Sequence, residues 1–336
     1  MSDVIDKFSR PLKDLRLSVL DRCNLRCGYC MPADSLNGQG IFLPASRLLN
    51  DVELETVVKV FVRLGVHKLR LTGGEPLLRP NLPGLVKKLS AIDGINDLAL
   101  TTNGILLPRL ASALRQAGLG RITVSLDSLD DEVYKSMSGG RGSVAEVLAG
   151  IAAAEDAGFS QIKINTVIQK GSNDHNILEL VEHFRGSGHI LRFIEFMDVG
   201  NLNHWSAAQV VASADLLKIV HDRWPLKPLA SSATGETARR YEFLDGAGEI
   251  GFISSISEPF CGDCTRARVT ADGVFYSCLF AASGTELRPL LRSGIDEAGL
   301  HQFLANVWSK RDDRYSEIRN TTGKDQSKVE MFRMGG

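Results

Sequence analysis

Apolar and polar positions recur in a regular rhythm along the first part of the chain. From about residue 15 to 197 one unit repeats: a short apolar run, a glycine-rich or polar loop, then an amphipathic stretch. The apolar runs predict strands at 15–20, 68–71, 97–102, 121–126, 162–167 and 191–197. Between the first two, Leu54, Val57, Val58, Phe61 and Leu64 keep the spacing of one helix face. Asn50 with Glu53 forms a capping pair, and Gly65 suits the residue after the helix end. Further helices are expected near 82–92, 107–117, 143–157 and 176–187, with Gly118, Gly158 and Gly188 closing three of them. Six strand–helix units in succession argue for an α/β fold with an all-parallel sheet and helices outside it. A closed barrel needs eight such units, so a partial (β/α)6 TIM-type barrel is expected, ahead of a doubly wound sheet. In either, ligands sit at the C-terminal ends of the strands.

Beyond residue 200 the rhythm changes. A helix near 206–220 precedes a Pro/Ser/Thr/Gly-rich stretch at 225–237, and two hairpins follow. Asp245-Gly246 punctuates the first, and Asp272-Gly273 separates 266–270 from 274–278 in the second. A helix near 297–309 follows, and the tail from Met331 ends in Gly335-Gly336. The expected division is a barrel at 1–200 and, at 201–336, an α+β region covering the barrel's open side.

Composition narrows the function classes. The chain has 336 residues, 43% hydrophobic, 24% charged and 7% aromatic, which excludes collagen, coiled coil and long disorder. The net charge of -1 provides no bulk basic field, so no nucleic-acid partner is expected and an anionic ligand must be met by local clusters. No apolar run is long enough to span a bilayer, so no membrane association is expected. The start, Met1-Ser2-Asp3-Val4, has no apolar signal region. The chain therefore reads as cytoplasmic.

The six cysteines are unevenly placed. Cys23, Cys27 and Cys30 form C-x3-C-x2-C in the loop after the first strand, and Cys261, Cys264 and Cys278 form C-x2-C-x13-C. A reducing cytoplasm disfavours disulfides and favours metal or redox chemistry. For the first triplet, a thioredoxin-like Cys27-Gly-Tyr-Cys30 pair leaves Cys23 unexplained, and a zinc site lacks a local fourth ligand. A [4Fe–4S] cluster fits better: three thiolates hold three irons and leave the fourth open. The second triplet suggests a second such cluster; a zinc knuckle with a distant ligand and structural thiols remain alternatives.

Other residues carry charge or geometry suited to ligands. Arg266 and Arg268 share one face of a strand next to Cys264. Strands covered on both sides should be apolar, yet Arg16, Lys68, Arg70, Lys163 and Arg192 lie in or beside them. They either sit at solvated ends or point into a lumen that holds an anion. No phosphate-binding P-loop is present, and Ser138-Gly139-Gly140-Arg141-Gly142 is expected to be a surface turn. Gly73-Gly74-Glu75-Pro76 ends the second strand, where glycine permits close backbone approach. Thr101, Ser125 and Met197 end strands three, four and six. Simple alternation puts Arg192 and Met197 on opposite faces, so a bend is needed if both reach one site.

The first triplet, with Tyr29 before its last cysteine, resembles the radical S-adenosylmethionine superfamily. The wider pattern resembles the GTP 3′,8-cyclase family (molybdenum cofactor biosynthesis protein A). It rests on Asp21-Arg22-Cys23-Asn24-Leu25-Arg26-Cys27-Gly28-Tyr29-Cys30-Met31-Pro32, Arg70-Leu71-Thr72-Gly73-Gly74-Glu75-Pro76, Thr102-Asn103-Gly104, Ser125-Leu126-Asp127-Ser128, Arg192-Phe193-Ile194-Glu195-Phe196-Met197, the second triplet and the Gly-Gly terminus. The resemblance implies two [4Fe–4S] clusters, the first binding S-adenosylmethionine and the second the guanine of GTP. It implies cofactor contacts at Tyr29, Gly74, Ser125 and Met197. It places GTP contacts at Arg16, Arg70, Thr101, Lys163, Arg266 and Arg268, with Arg266 and Arg268 counted as catalytic. The implied reaction removes hydrogen from ribose carbon 3 through a 5′-deoxyadenosyl radical and joins that carbon to guanine carbon 8. The product is 3′,8-cyclo-7,8-dihydroguanosine 5′-triphosphate, in the first step of molybdenum cofactor biosynthesis. A cyclic pyranopterin monophosphate synthase would act next, and the glycine tail would reach into the site. The electron donor is not indicated, and a homodimer is left open. The rivals are a radical enzyme maturing a peptide and a non-enzymatic zinc-binding protein.

Overall fold

The computed structural model describes residues 4–32, 42–231, 233–319 and 328–335. The expectations for residues 1–3, for most of the segment 33–48 and for Gly336 fall outside the described residues.

The repeating pattern folds as its spacing dictates. Strands β1 (Asp14–Ser18), β2 (Lys68–Thr72), β3 (Asp97–Thr102), β4 (Arg121–Ser125), β5 (Lys163–Ile168) and β6 (Ile190–Glu195) lie side by side, all parallel. Between them run α1 (Asp51–Arg63), α2 (Leu82–Ser90), α3 (Leu107–Gln116), α4 (Asp131–Met137), α5 (Val144–Asp156) and α6 (Ile177–Phe184). The Asn50 side chain accepts from the N–H groups of Val52 and Glu53, and Glu53 accepts from the Asn50 N–H at 2.8 Å, closing the expected capping box. Leu54, Val57, Val58 and Phe61 are buried beneath α1. Helix α4 was not anticipated; it buries only Tyr134 and Met137, too few apolar positions to show a period.

The region after 200 does more than cover an open side. After α7 (Ser213–Arg223) come β7 (Leu226–Pro228), β8 (Arg239–Phe243), β9 (Glu249–Ile253), β10 (Arg266–Val269), β11 (Val274–Tyr276) and β12 (Thr285–Glu286). β9 joins β6 in parallel and β10 joins β1 in parallel, so the expected hairpins extend the sheet at both edges. One sheet results, ordered β12-β11-β10-β1-β2-β3-β4-β5-β6-β9-β8-β7, with antiparallel pairs at each end. The helices α8 (Arg288–Arg292), α9 (Glu297–Ser309), α10 (Tyr315–Ile318) and α11 (Met331–Met334) complete the chain. The helix expected at 206–220 starts later, because Val210 bridges to Gln169 and keeps the chain extended there. Among the described residues no helix is long and apolar enough to cross a membrane.

Burial alternates along the strands. In β1, Leu15 and Leu17 are fully buried while Asp14 and Arg16 are half-exposed; β2 and β5 alternate in the same way. The apolar set packs outward under the helices, and the polar set faces a common interior. Arg16, Arg70, Thr101, Ser125, Asn165 and Arg192, from six successive strands, line one cavity, which a flat sheet could not arrange. The sheet is therefore curved and open, a partial barrel.

Glu195 fixes the end of β6. Its fully buried carboxylate accepts from the N–H groups of Ser213 (2.7 Å), Ile256 (2.8 Å) and Ser257 (2.9 Å), tying β6 to α7 and to the loop after β9. Glu195→Ala strands these donors and is expected to cost about 3 kcal/mol. Denaturant unfolding checks this: a loss below about 1 kcal/mol would show that the carboxylate does not hold the junction.

Candidate active site

The first cysteine loop is held from both sides by backbone contacts. Gly74 N–H donates to Leu20 O and Glu75 N–H to Arg22 O, each at 2.7 Å. A Cβ on Gly74 would lie 2.3 Å from Arg22 O, so only glycine allows this approach. On the other side Arg26 N–H donates to Ser138 O and Gly28 N–H to Met137 O. Ser138 is buried, and a Cβ on Gly139 would lie 2.4 Å from Arg26 O. The segment 138–142 is the expected surface turn, exposed at Gly139, Gly140 and Arg141, and it also buttresses the cysteine loop. Its glycines 139, 140 and 142 all have positive φ.

Two buried carboxylates complete the support. Glu75 accepts from Leu77 N–H (3.0 Å), Thr102 Oγ1 (2.7 Å) and Asn103 N–H (2.8 Å), and Asn103 Nδ2 donates onward to Asn24 Oδ1. Burial pushes Glu75 up to about 7 despite these donors. Asp127 accepts from Tyr29 Oη at 2.8 Å and Val167 N–H at 2.9 Å, and burial raises it to about 6. Tyr29 is thus fixed against the end of β4.

All six cysteines are free and half-buried. Leu25 N–H points to Cys23 Sγ at 3.4 Å and Phe280 N–H to Cys278 Sγ at 3.5 Å, bonds suited to an electron-rich sulfur. Among the described residues no three Cys, His, Asp or Glu side chains close to the spacing one metal ion needs. Zinc would draw thiolates to about 3.8 Å from one another, given Zn–S bonds of 2.3 Å in a tetrahedron. A cubane binds each thiolate at a separate iron, and three thiols in one loop with an N–H aimed at sulfur are a donor set that fits such a cluster at the first triplet. Burial pushes Cys23 up to about 11 and Cys278 up to about 12. Burial acts the same way on Cys264, but the nearby Arg266 and Arg311 guanidinia outweigh it and hold that thiol below its ordinary value.

The second triplet opens into the barrel interior. Cys261, Cys264 and Cys278 line the same cavity as Tyr29, Ser125 and Met197. Arg16, Arg70, Thr101, Arg266 and Arg268 line it too. Of the residues singled out in the sequence, Lys163 lines instead a second space at the N-terminal ends of the strands, with Lys68. Arg16, Arg70 and Arg192 border both spaces, so the interior is continuous in its lining. Gly74 and the first triplet lie outside the lining of either. Strand β6 stops at Glu195, two residues earlier than expected. Met197 therefore sits in the loop beyond it and shares the cavity with Arg192, which supplies the needed bend.

Strand register sets the cations. Arg16 lies opposite Arg70 on one side and Arg268 on the other, and Asp14 opposite Arg266 and Lys68. Arg70 donates to Thr101 Oγ1 and Thr123 Oγ1, both at 3.1 Å, and Arg192 Nε to Asn165 Oδ1 at 3.0 Å. Arg266 donates to Gly235 O at 2.7 Å and lies over the Phe260 ring. Arg268 donates to the carbonyls of Met334 and Gly335, which brings the described part of the tail into the interior. A Cβ on Gly335 would lie 1.9 Å from Thr72 Oγ1. Burial first, then like charges, lowers Arg192 to about 9, Arg268 to about 10 and Lys163 to about 8. Thr123, Asn165 and Phe260 were missed in the sequence; as ordinary strand and loop residues they carried no signal.

Similarity to known proteins agrees with this arrangement. Residues 17–184 match the family model described as the Radical SAM superfamily, and residues 189–317 the one described as Molybdenum Cofactor Synthesis C. The chain is 59% identical over 331 residues to a GTP 3′,8-cyclase of Xanthomonas campestris pv. campestris (strain B100), covering 98% of this chain and 97% of that protein. It is 42% identical over 340 residues to a GTP 3′,8-cyclase of Staphylococcus haemolyticus (strain JCSC1435), covering 100% of both. In fold it resembles Streptococcus suis SuiB bound to S-adenosylmethionine, with a TM-score of 0.63 at 17% identity over 93% of this chain and 69% of that one. With two family models in succession and full-length relatives, the chain belongs to the GTP 3′,8-cyclase family of the radical S-adenosylmethionine superfamily.

Proposed function

We propose that this protein is a radical S-adenosylmethionine enzyme that converts GTP to 3′,8-cyclo-7,8-dihydroguanosine 5′-triphosphate, the first step of molybdenum cofactor biosynthesis. The observation that carries the reading is the second cysteine triplet opening into a cation-lined interior beside Arg266 and Arg268. Cys23, Cys27 and Cys30 would hold one [4Fe–4S] cluster and Cys261, Cys264 and Cys278 another. When bound, the first cluster and S-adenosylmethionine supply the one-electron chemistry that starts the reaction.

The chain's own residues orient and shield. Tyr29, Ser125 and Met197 border the cavity where the cofactor's nucleoside would lie, and Gly74 leaves the backbone open to its methionine end. Arg266 and Arg268 meet the substrate near the second triplet. Arg16, Arg70 and Lys163, with Thr101, receive the phosphates along the lumen. The substrate then loses hydrogen at ribose carbon 3, forms the bond from that carbon to guanine carbon 8, and takes up one electron and one proton. Holding both reacting carbons in one fixed arrangement lets an intramolecular addition outpace quenching. The division at residue 200, a cytoplasmic location and a pyranopterin synthase acting on the product belong to the same reading.

Anaerobically reconstituted protein, given GTP, S-adenosylmethionine and a strong reductant, is expected to consume GTP and to contain about eight irons per chain, four for each cubane. Two zincs and no sulfide, or no GTP consumption, would overturn the reading. Cys264→Ala is expected to halve the iron and weaken GTP binding while S-adenosylmethionine cleavage partly survives. Loss of that cleavage with GTP binding unchanged would contradict the division of roles.

Lys163 gives a pH signature. Its ordinary value of 10.5 is lowered to about 8 by burial and then by Arg192, Arg121 and Arg70. Unfolding lets it take up a proton, so its penalty on the ligand-free fold fades as pH rises from about 8 toward 10.5. A phosphate beside it restores the proton, so GTP affinity is expected to fall up to tenfold per pH unit above pH 8 through this group. Lys163→Met is expected to bind more weakly with a flatter profile. Binding titrations from pH 7 to 9 showing parallel profiles for the two proteins would remove Lys163 from the phosphate site.

A further inference from the structure

A buried charged cluster stands behind the second triplet, built from residues the reaction does not use. Asp6, Arg10 and Arg311 have side chains no more than 3% exposed. Asp6 Oδ2 accepts from Arg10 Nε at 2.6 Å and Arg311 Nη1 at 3.0 Å. Each guanidinium also reaches the backbone of a cysteine: Arg10 Nη1 donates to Cys261 O at 2.7 Å and Arg311 Nη1 to Cys264 O at 2.9 Å. Their planes are held by aromatic rings, Arg10 over Phe8 at 5.0 Å and Arg311 over Trp308 at 4.5 Å. Trp308 Nε1 donates back to Arg10 O at 3.1 Å.

Burying two guanidinia is costly unless charge and donors are satisfied. Here satisfaction is incomplete. Arg10 Nη2 and Arg311 Nε are buried with no hydrogen-bond partner among the described residues. Asp313 approaches Arg311 Nε only to 3.5 Å while accepting from Ser277 Oγ at 2.6 Å. Arg10 and Arg311 line the same cavity as the three cysteines. Fixed, partly unsatisfied donors beside three thiols suit an anionic centre held by those thiols.

Resting on the two-cluster reading above, we propose that Asp6, Arg10 and Arg311 form a frame that positions the Cys261–Cys264 loop and sets the electrostatic potential at the second cluster. The two guanidinia favour the extra electron of the reduced state, and Asp6, with Asp313 beside Arg311, offsets part of their charge. They are positioning residues, acting through the Cys261–Cys264 loop.

The test is a redox titration of the whole reconstituted protein by electron paramagnetic resonance, with the first centre identified by its response to S-adenosylmethionine. Asp6→Asn keeps the size, gives up the hydrogen bonds at one of the two acceptor oxygens and removes the offset, so in protein that retains both clusters the second midpoint is expected to move to a more positive potential with the first unchanged. Arg311→Met is expected to move it the other way, or to lose the second cluster's iron, and to weaken GTP binding about tenfold. An unchanged second midpoint in Asp6→Asn, whatever becomes of Arg311→Met, overturns the proposal, as do shifts of both variants in one direction. Wild-type protein holding a single cluster would instead sink the reading on which it rests.

Discussion

Like charges gathered on the inner face of a curved parallel sheet are the constraint around which this molecule is organised. Arg16, Arg70, Arg192 and Arg268 lie within one interior, and strand register places three of them in a direct row. Such repulsion opposes folding, and it is not relieved by pairing. Arg70 is held by two threonine hydroxyls, Arg192 by an asparagine, and Arg266 and Arg268 by carbonyls. Ion pairs with carboxylates appear at the rim, as between Arg121 and Asp97. Neutral partners fix direction without cancelling charge, so the field remains available to an anion.

The rest of the architecture makes that arrangement tolerable. Outward-facing Leu15, Leu17, Leu69 and Leu71 are buried under the helices and supply apolar burial that inward positions cannot. At the rim, glycine is required where loops cross closely, at Gly74 against Arg22 and at Gly139 against Arg26. Glu75 and Asp127 are buried carboxylates whose acceptor sites are filled by backbone and hydroxyl donors. They act as fixed corners around which the first cysteine loop and Tyr29 are set.

The sequence carries the local part of this plainly. Apolar period and caps mark α1, and β2 to β5 fall close to the expected runs, because those signals arise within one element. Edge pairing is not local: β9 and β10 look like ordinary hairpin strands, and nothing in them states that each will also pair in parallel with β6 or β1. The cysteines and inward cations are legible because they violate expectations, thiols in tight groups and charge in parallel strands. Asn165 and Thr123 violate nothing. Asp6, Arg10 and Arg311 are invisible for another reason: the partners lie about as far apart in the chain as it allows, and each alone is an unremarked charged residue.

Two kinds of buried cation therefore coexist, and the difference is informative. In the lumen, guanidinia keep their charge by choosing neutral partners. Behind the second triplet, Asp6 is shared between two guanidinia and Asp313 stands 3.5 Å from one of them. The proposed ligands differ in the same sense. A triphosphate carries several negative charges and needs a field left whole. A cubane held by three thiolates carries a small negative charge, and a fully uncompensated pair of guanidinia would outweigh it. Compensation by Asp6, with Asp313 beside Arg311, leaves this corner far less positive than the lumen, matched to a modest anion. The overall charge of -1 conceals this partition: within one cavity the corner at the second triplet is compensated by carboxylates and the lumen beyond it is not.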